Sequence, residues 1–502
     1  MQPNCFLATL DLKEAYYLVP VAESCRKFLR FKFENLVFEF TCLPFGLSTA
    51  PYVFTKIMRP IVTLLRKRGL LSVIYIDDFL LFGNTKRECE KNIAETTQLL
   101  TQLGFIINKE KSSLIPAHRQ KYLGFILDSA EMLIKIPDDK RVKIQSSLTK
   151  FKINTKHKIR DFASLVGTLG SVCQATKYGW VYMKSLEREK FLALQKTNGN
   201  YEARLVLSNH VHEDIEWWSQ NIMPVCNPIR SQTYALEIFS DASLSGWGAC
   251  CGKEKAYGFW NLSERKNPIN ILELKAAFFG LKCFGRNRTN CDILLRIDNT
   301  TAISYINRMG GIQFQSLSKV AKTIWQWCEH RNITIFASYI PSSKNKTADH
   351  ESRRLEPETE FSLSQEAFSD ICKKFSKPEI DLFASRVNAK CKKYVSWKKD
   401  PSSFTIDAFT LDWGKYFFFA FPPFAIIPKV LKKIQNDRAR GIIVIPNWPS
   451  QAWFPKCMKM FDSSPIIFEP NKKLLSSSNR EHHPLWNQLS LVGGILSYKP
   501  SL

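Results

Sequence analysis

Residues Ser72 to Phe82 read SVIYIDDFLLF. Two apolar runs flank the pair Asp77-Asp78. That is the pattern of a β-hairpin whose tight turn carries two acids. Inside a strand, neighbouring side chains face opposite sides, so one of the two acids would be buried without a partner. A turn removes that cost and lets both carboxylates project from one surface. Upstream, Asp11 ends the apolar run FLATL at 6–10, and LKEAYYLV follows. Taken alone, such a turn is a weak signal, since acidic surface turns are common.

The chain around it has 502 residues, 45% of them hydrophobic and 13% aromatic, which is enough to bury several cores. That composition excludes a disordered chain. Lys and Arg total 71 against 46 Asp and Glu, for a formal charge of +25. So basic a chain attracts polyanions, nucleic acid first among them, because each neutralised phosphate releases counterions. A solvated basic surface is the bland alternative. The 14 cysteines show no metal-ligand spacing. Reduced thiols of an intracellular protein, in cytoplasm or nucleus, are expected. The start of the chain lacks a secretory pattern. The most apolar stretch, Tyr416 to Pro428, is too short for a membrane span and carries three prolines. It reads as buried core, and no membrane partner is expected.

Residues 1–135 alternate short apolar runs, turns and helical stretches. Residues 136–232 look mostly helical. Residues 236–354 alternate strands and helices, 355–364 read as a polar linker, and 365–502 form a last α/β unit rich in Lys, Phe, Pro and Trp. The expected fold class is therefore α/β and α+β, in several domains.

Carboxylates gathered at strand ends suit divalent metals. Two Mg²⁺ (or Mn²⁺) about 3.5–4 Å apart can serve an in-line displacement at phosphorus. The motifs around the acids resemble the palm of reverse transcriptases, in the family's order: LDLKEAYYLVPV at 10–21, LPFGLSTAPYVF at 43–54, YIDD at 75–78, LGFIINKEKS at 103–112 and YLGF at 122–125. The resemblance implies a right-hand palm with partial fingers and a helical thumb. It implies that Asp11 and Asp77 hold the metals with Asp78 in support. Tyr16 would be the gate that excludes a ribose 2′-hydroxyl, and its bland alternative is a core aromatic. Phe45 stands where retroviral enzymes carry Gln, and Gly46 lets backbone approach a base pair. Lys111, with Asn108, would line the nucleotide site. Tyr122 and Gly124 would belong to the primer grip. Lys150, Lys152, Lys156, Lys158 and Arg160, read on basic helices, would track the duplex or simply face water.

A second set of acids follows. Asp241 ends the run EIFS, Glu273 lies in INILELKAAFFGLKCF, Asp298 ends DILLRI, and Asp349 sits in NKTADHESRR. Two strands and two helices can bring four such acids to one metal-binding point. With SDAS, a Gly-Trp-Gly strand, LELKA and RIDNTTAI, the series resembles RNase H. The resemblance implies a mixed-sheet domain with Asp241, Glu273, Asp298 and Asp349 as catalytic metal ligands. One departure stands out: ten residues before Asp349, where family members often carry a His, this chain has Tyr339.

Residues 365–502 resemble the methyltransferase-like region that follows RNase H in DIRS-type retrotransposons. FPPF at 421–424 is similar to the Asn/Asp-Pro-Pro-aromatic motif of N6-adenine methyltransferases. Phe421 replaces its hydrogen-bond acceptor and no glycine-rich loop is evident, so no methyl transfer is expected. The cluster Lys390, Lys392, Lys393, Tyr394, Trp397, Lys398 and Lys399 mixes charge and aromatics as nucleic-acid surfaces do, or forms a solvated loop.

The expectation is an RNA-directed DNA polymerase with RNase H activity. Its partners would be an RNA template, a DNA primer, dNTPs and an RNA–DNA hybrid. The sequence carries no signal of oligomeric state. Asp11 lies close to the start of the chain, where reverse transcriptases carry a long fingers segment. That points to N-terminal truncation and to an alternative, a remnant that binds nucleic acid without polymerising.

Overall fold

The two apolar runs around Asp77-Asp78 pair as predicted, but only Asp77 lies in the turn; Asp78 opens the second strand. Ser72–Tyr75 and Asp78–Gly83 are antiparallel strands with Tyr75 opposite Asp78, so Ile76-Asp77 forms the turn. Ile76 has φ 57°. A β-branched residue rarely adopts that left-handed conformation, and such strain persists only where surrounding structure enforces it. The strand Phe6–Lys13 lies beside this hairpin, with Asp11 opposite Asp78. The sheet then runs to Ile106–Ile107, and Ser113–Ala117 also pairs with Phe6–Lys13. Helices Ala50–Lys67 and Lys86–Gln102 supply Phe54, Met58, Leu65, Cys89 and Leu100 to a core with Leu10, Leu12, Phe79 and Leu81. Their spacing is the stripe of an amphipathic helix. A separate hairpin, Arg30–Phe33 with Leu36–Glu39, is exposed at every position.

The structure, a computed structural model, describes residues 1–229, 233–354, 361–477 and 480–498. Most of the expected linker, 355–360, lies outside them. The chain forms two compact units, Met1–Gln232 and Thr233–Leu502.

In the first unit, Arg119–Tyr122, Phe125–Asp128, Leu133–Lys135 and Cys226–Pro228 make a second sheet. Helices Asp138–Leu148, Ile159–Val172, Lys184–Lys196 and His212–Asn221 fill the interval, in keeping with the mostly helical reading of 136–232. The segment is sewn back to its start. Buried Arg141 donates to the carbonyls of Ile136, Ile222 and Val225 at 2.9, 2.7 and 2.8 Å. The basic residues expected on helices are placed otherwise. Lys150 and Lys152 lie in a connection and Lys156 and Lys158 on a short strand, with Arg160 alone in a helix. Lys158 and Arg160 both pair with Glu202.

In the second unit, a mixed five-stranded sheet has the order Glu254–Phe259, Gly246–Cys251, Leu236–Ala242, Asp292–Ile297, Thr334–Tyr339. The first two pairings are antiparallel and the last two parallel. Helix Ile269–Gly285 covers it. Residues 361–498 form a larger sheet than the small α/β unit expected. It has seven strands, in the order 405–406, 393–396, 380–381, 418–420, 440–446, 491–497, 466–468. The first five are mutually parallel, and Leu491–Ser497 runs antiparallel to its neighbours. Phe418, Phe419 and Ala420 are fully buried, as the apolar stretch foretold. No described helix is long and apolar enough to cross a membrane.

Candidate active sites

Asp11, Asp77 and Asp78 come near one another because two paired strands carry them to one edge. Asp11 faces Asp78 across the sheet, and the backbone N–H of Leu12 donates to the Asp77 carbonyl at 3.2 Å. Burial raises the pKa of Asp77. The Asp11 charge adds to that, while a backbone hydrogen bond and Lys111 oppose it. Asp78 is raised by burial first, then by Asp77 and Asp11, with Lys111 again opposing. Lys111 is therefore close enough to act on both acids.

Asn108 is tied directly to Asp11. Its Nδ2 donates to Asp11 Oδ1 at 2.9 Å, and its backbone N–H donates to the Asp11 carbonyl at 2.9 Å. Ser112, which sequence reasoning missed, accepts from the Asp11 backbone N–H at 3.0 Å through its hydroxyl. Nothing in one sequence ties a serine to an acid so far upstream.

Tyr16 is buried, its ring 5.1 Å from Phe45 and 5.3 Å from Phe54. Burial raises its hydroxyl pKa, and the charge of Asp77 raises it further. It is thus a core aromatic and a neighbour of the acidic turn at once. Phe45 is exposed. Gly46 has φ 90°, and nothing in the chain lies within 4 Å of where a side chain would stand. Tyr122 donates its hydroxyl to the Asp78 carbonyl at 3.3 Å, and burial pushes its pKa up to about 12. Leu123 and Gly124, both with positive φ, form the two-residue turn that follows.

The second acidic centre is tighter. Carboxylate oxygens of Asp241, Glu273 and Asp298 lie within 4.8 Å of one another, the only such acid group among the described residues. Asp241 is on a central strand, Glu273 on the covering helix, and Asp298 just past the neighbouring parallel strand. Burial, with the charges of Asp241 and Asp298, pushes Glu273 up to about 9. Burial likewise raises Asp241, against a hydrogen bond from Ser352 at 2.6 Å. The Glu273 Oε2 atom is buried and has no hydrogen-bond partner. Three crowded acids with an orphaned acceptor fit a divalent cation.

Asp349 does not join them. It is 41% exposed and paired with Arg353 at 2.8 Å, so the expected four-acid meeting is a three-acid one with Asp349 beside it. Its helix, Lys346–Ser352, packs on the Gly-Trp-Gly strand because Gly248 has no side chain. A Cβ there would lie 2.3 Å from the Ala348 carbonyl and 2.4 Å from the Ser352 nitrogen. Ser352 and Ser342, which donates to Asp298 at 2.7 Å, were not foreseen. Tyr339 is exposed at the end of its strand, opposite Ile297 and so next to Asp298.

In residues 361–498, Phe421 follows the strand Phe418–Ala420 at its carboxyl end, its ring 6.1 Å from that of Phe424. The lysine-rich cluster is largely absorbed in packing. Tyr394 is buried, Lys393 lies 3.9 Å from the Phe404 ring, and Lys399 pairs with Glu254 at 3.3 Å. Trp397 remains 78% exposed.

Two family models match parts of the chain. Residues 1–127 match the family described as reverse transcriptase (RNA-dependent DNA polymerase). Residues 358–479 match DNA N-6-adenine-methyltransferase (Dam). The enzymatic polyprotein of cauliflower mosaic virus (strain CM-1841) is 24% identical over 375 residues, covering 69% of this chain and 50% of the polyprotein. Protein P of hepatitis B virus (genotype D, isolate Japan/JYW796/1988) is 24% identical over 277 residues, covering 54% of this chain and 30% of that protein. The chain thus spans about half the length, or less, of these curated relatives. The foamy viral protease-reverse transcriptase in complex with an RNA/DNA hybrid superposes with a TM-score of 0.41 at 17% identity, covering 72% of this chain and 48% of that one.

Proposed function

We propose that this chain is the RNA-directed DNA polymerase and RNase H of a retroelement. The observation that carries the reading is the juxtaposition of Asp11 with the Asp77-Asp78 hairpin, inside the segment that matches the reverse transcriptase family. The substrates are a DNA primer on an RNA template, dNTPs, and the RNA–DNA hybrid that synthesis leaves behind. The same reading places the work inside the cell, in cytoplasm or nucleus.

In synthesis, Asp11, Asp77 and Asp78 hold charge where a primer 3′-hydroxyl meets an incoming triphosphate. Asn108 orients Asp11, and Lys111 offsets the gathered negative charge. Exposed Phe45 and open Gly46 face the pair being formed, and Tyr16 closes the sugar side. Tyr122 and Gly124 support the primer end. In cleavage, Asp241, Glu273 and Asp298 are the residues that would hold divalent metal, with Asp349 completing the set once released from Arg353. Bound there, Mg²⁺ or Mn²⁺ would supply an activated water and charge stabilisation at phosphorus.

The methyltransferase-like region after the nuclease supports a finer reading, a retrotransposon of the DIRS type. Phe421 offers no acceptor to an amino group, so that region transfers no methyl group.

The test uses the full chain on a primed poly(rA) template and on a labelled hybrid, with Mg²⁺ or Mn²⁺. Asp77→Asn is expected to abolish nucleotide incorporation and spare hybrid cleavage. Glu273→Gln is expected to do the reverse. Incorporation retained by Asp77→Asn refutes the polymerase assignment.

A further inference from the structure

Open α/β sheets bind ligands outside the carboxyl ends of their strands, where the strand order reverses. In the seven-stranded sheet that place is the loop after Ile380–Asp381, between Lys393–Ser396 and Phe418–Ala420. The loop is already occupied by the protein itself. Arg386 leaves it and enters the nuclease domain, where its two terminal nitrogens reach the Glu264 carboxylate at 3.1 and 2.8 Å. One of them also donates to the Phe259 carbonyl at 2.9 Å, and the guanidinium lies 4.5 Å from the Phe279 ring. The Arg386 and Glu264 side chains are 15% and 9% exposed.

The arginine is held from behind. Its backbone N–H donates to Asp400 Oδ2 at 2.9 Å, and Asp400 Oδ1 accepts from the Ser402 N–H at 2.9 Å. Glu264 in turn belongs to the helix that follows it. Lys275, on Ile269–Gly285, donates to Glu264 at 3.2 Å, and Phe279 is on the same helix. Burial alone would raise the Glu264 pKa, but Arg386, with the Asn261 N–H and Lys275, more than offsets it and holds the carboxyl below its ordinary range. At the far end of the helix Arg286 donates to the carbonyls of Ser403 and Pro401 at 2.6 and 3.3 Å. Residues 386–403 therefore hold the helix through Glu264 and Lys275, at Phe279, and at Arg286 just past its last turn, and Glu273 lies two residues before the first of these points.

We propose that the ligand loop of the methyltransferase-like domain serves as an intramolecular clamp, with Arg386 a positioning residue that sets the Glu273 helix for the nuclease. The inference rests on the RNase H reading of that centre. A bidentate, buried arginine–carboxylate pair is specific in geometry, and removing one partner strands the other charge. Lysine keeps the charge but not the fork.

The test compares the full chain with Arg386→Ala, Arg386→Lys and Glu264→Gln by hydrogen exchange, Mg²⁺ titration and hybrid cleavage. In Arg386→Ala, amides of 269–285 are expected to exchange at least about tenfold faster, with helix Gln315–Glu329 unchanged. The Mg²⁺ concentration for half-maximal cleavage should rise roughly tenfold at an unchanged KM for hybrid. Arg386→Lys and Glu264→Gln should fall between wild type and Arg386→Ala. Unchanged exchange in 269–285 overturns the clamp. So does faster exchange spread equally over 315–329, which marks a merely structural role. A wild-type chain that cleaves no hybrid, alongside local loosening in Arg386→Ala, removes the nuclease reading and leaves the clamp standing.

Discussion

Asn108 holds the Asp11 carboxylate through one side-chain hydrogen bond, and its backbone holds the same residue through another. Asn108→Ala removes only the first. Groups that orient a metal-binding ligand are worth roughly ten- to a hundredfold in metal affinity or activity. Single-nucleotide incorporation by Asn108→Ala should fall by that order while the fold persists, and wild-type rates in that variant would show that Asp11 needs no such support. At the Asp241–Glu273–Asp298 centre the pH dependence follows from Glu273, whose folded pKa is pushed from the ordinary carboxyl range to about 9. The folded state binds the proton more tightly than the unfolded chain, so stability is full below the unfolded value and is lost as pH rises through about 9. In EDTA the melting temperature should therefore decline from about pH 5 to about pH 9, and Glu273→Gln should flatten that decline. Added Mg²⁺ at pH 8 should raise the wild-type melting temperature more than the variant's. A decline equal in both proteins would move the titration elsewhere. The grouping of Asp11 with Asp77-Asp78, and of Asp241, Glu273 and Asp298, was legible in the sequence, because two ordered motif series carry them; the place of Asp349 outside the cluster was not. Their partners were not: Ser112, Ser342 and Ser352 reach their acids across more than forty residues of chain, and single serines carry no pattern.

Elements were legible where turn chemistry and periodicity agree. The hairpin at Asp77-Asp78 follows from two apolar runs with an acidic pair between them. The core helices follow from their apolar stripes. Legibility failed for short strands. Ile380–Asp381 and Thr405–Ile406 are two residues each, too brief for an alternating pattern, so the seven-stranded sheet looked smaller than it is. It failed also for Lys156 and Lys158, whose charged run hides a strand paired with Arg204–Val206. The Gly-Trp-Gly strand gives the sharpest test at this scale. A methyl group at Gly248 meets the backbone of the Lys346–Ser352 helix, which cannot rotate away as a side chain could. Overpacking of this kind costs about 1–3 kcal/mol or more. Gly248→Ala should lower the melting temperature and weaken hybrid cleavage, since the displaced helix carries both Asp349 and Ser352. A variant that melts and cleaves like wild type would mean the helix is free to shift.

Across the whole molecule, charge governs how the chain meets nucleic acid. A net +25 over 502 residues exerts a strong pull on a polyanion, but many cations are already engaged. Arg386, Lys158 and Arg160 pair with carboxylates, and Arg141 is spent on backbone carbonyls. Lys150, Lys152 and Lys156 are exposed and form no ion pair among the described residues. Their charges are free to meet phosphate. Each phosphate neutralised on a duplex contributes roughly −0.9 to the slope of log affinity against log salt. Binding of a primer–template to the full chain should therefore weaken steeply with salt, with a slope between roughly −4 and −9. Replacing Lys150, Lys152 and Lys156 with Ala should flatten it by up to about 3, uniformly across sequences. Arg141→Ala should leave the slope alone and lower stability instead, because the carbonyls of Ile136, Ile222, Met223 and Val225 lose their donor. If the triple variant keeps the wild-type slope, these three lysines face water and take no part in binding the duplex.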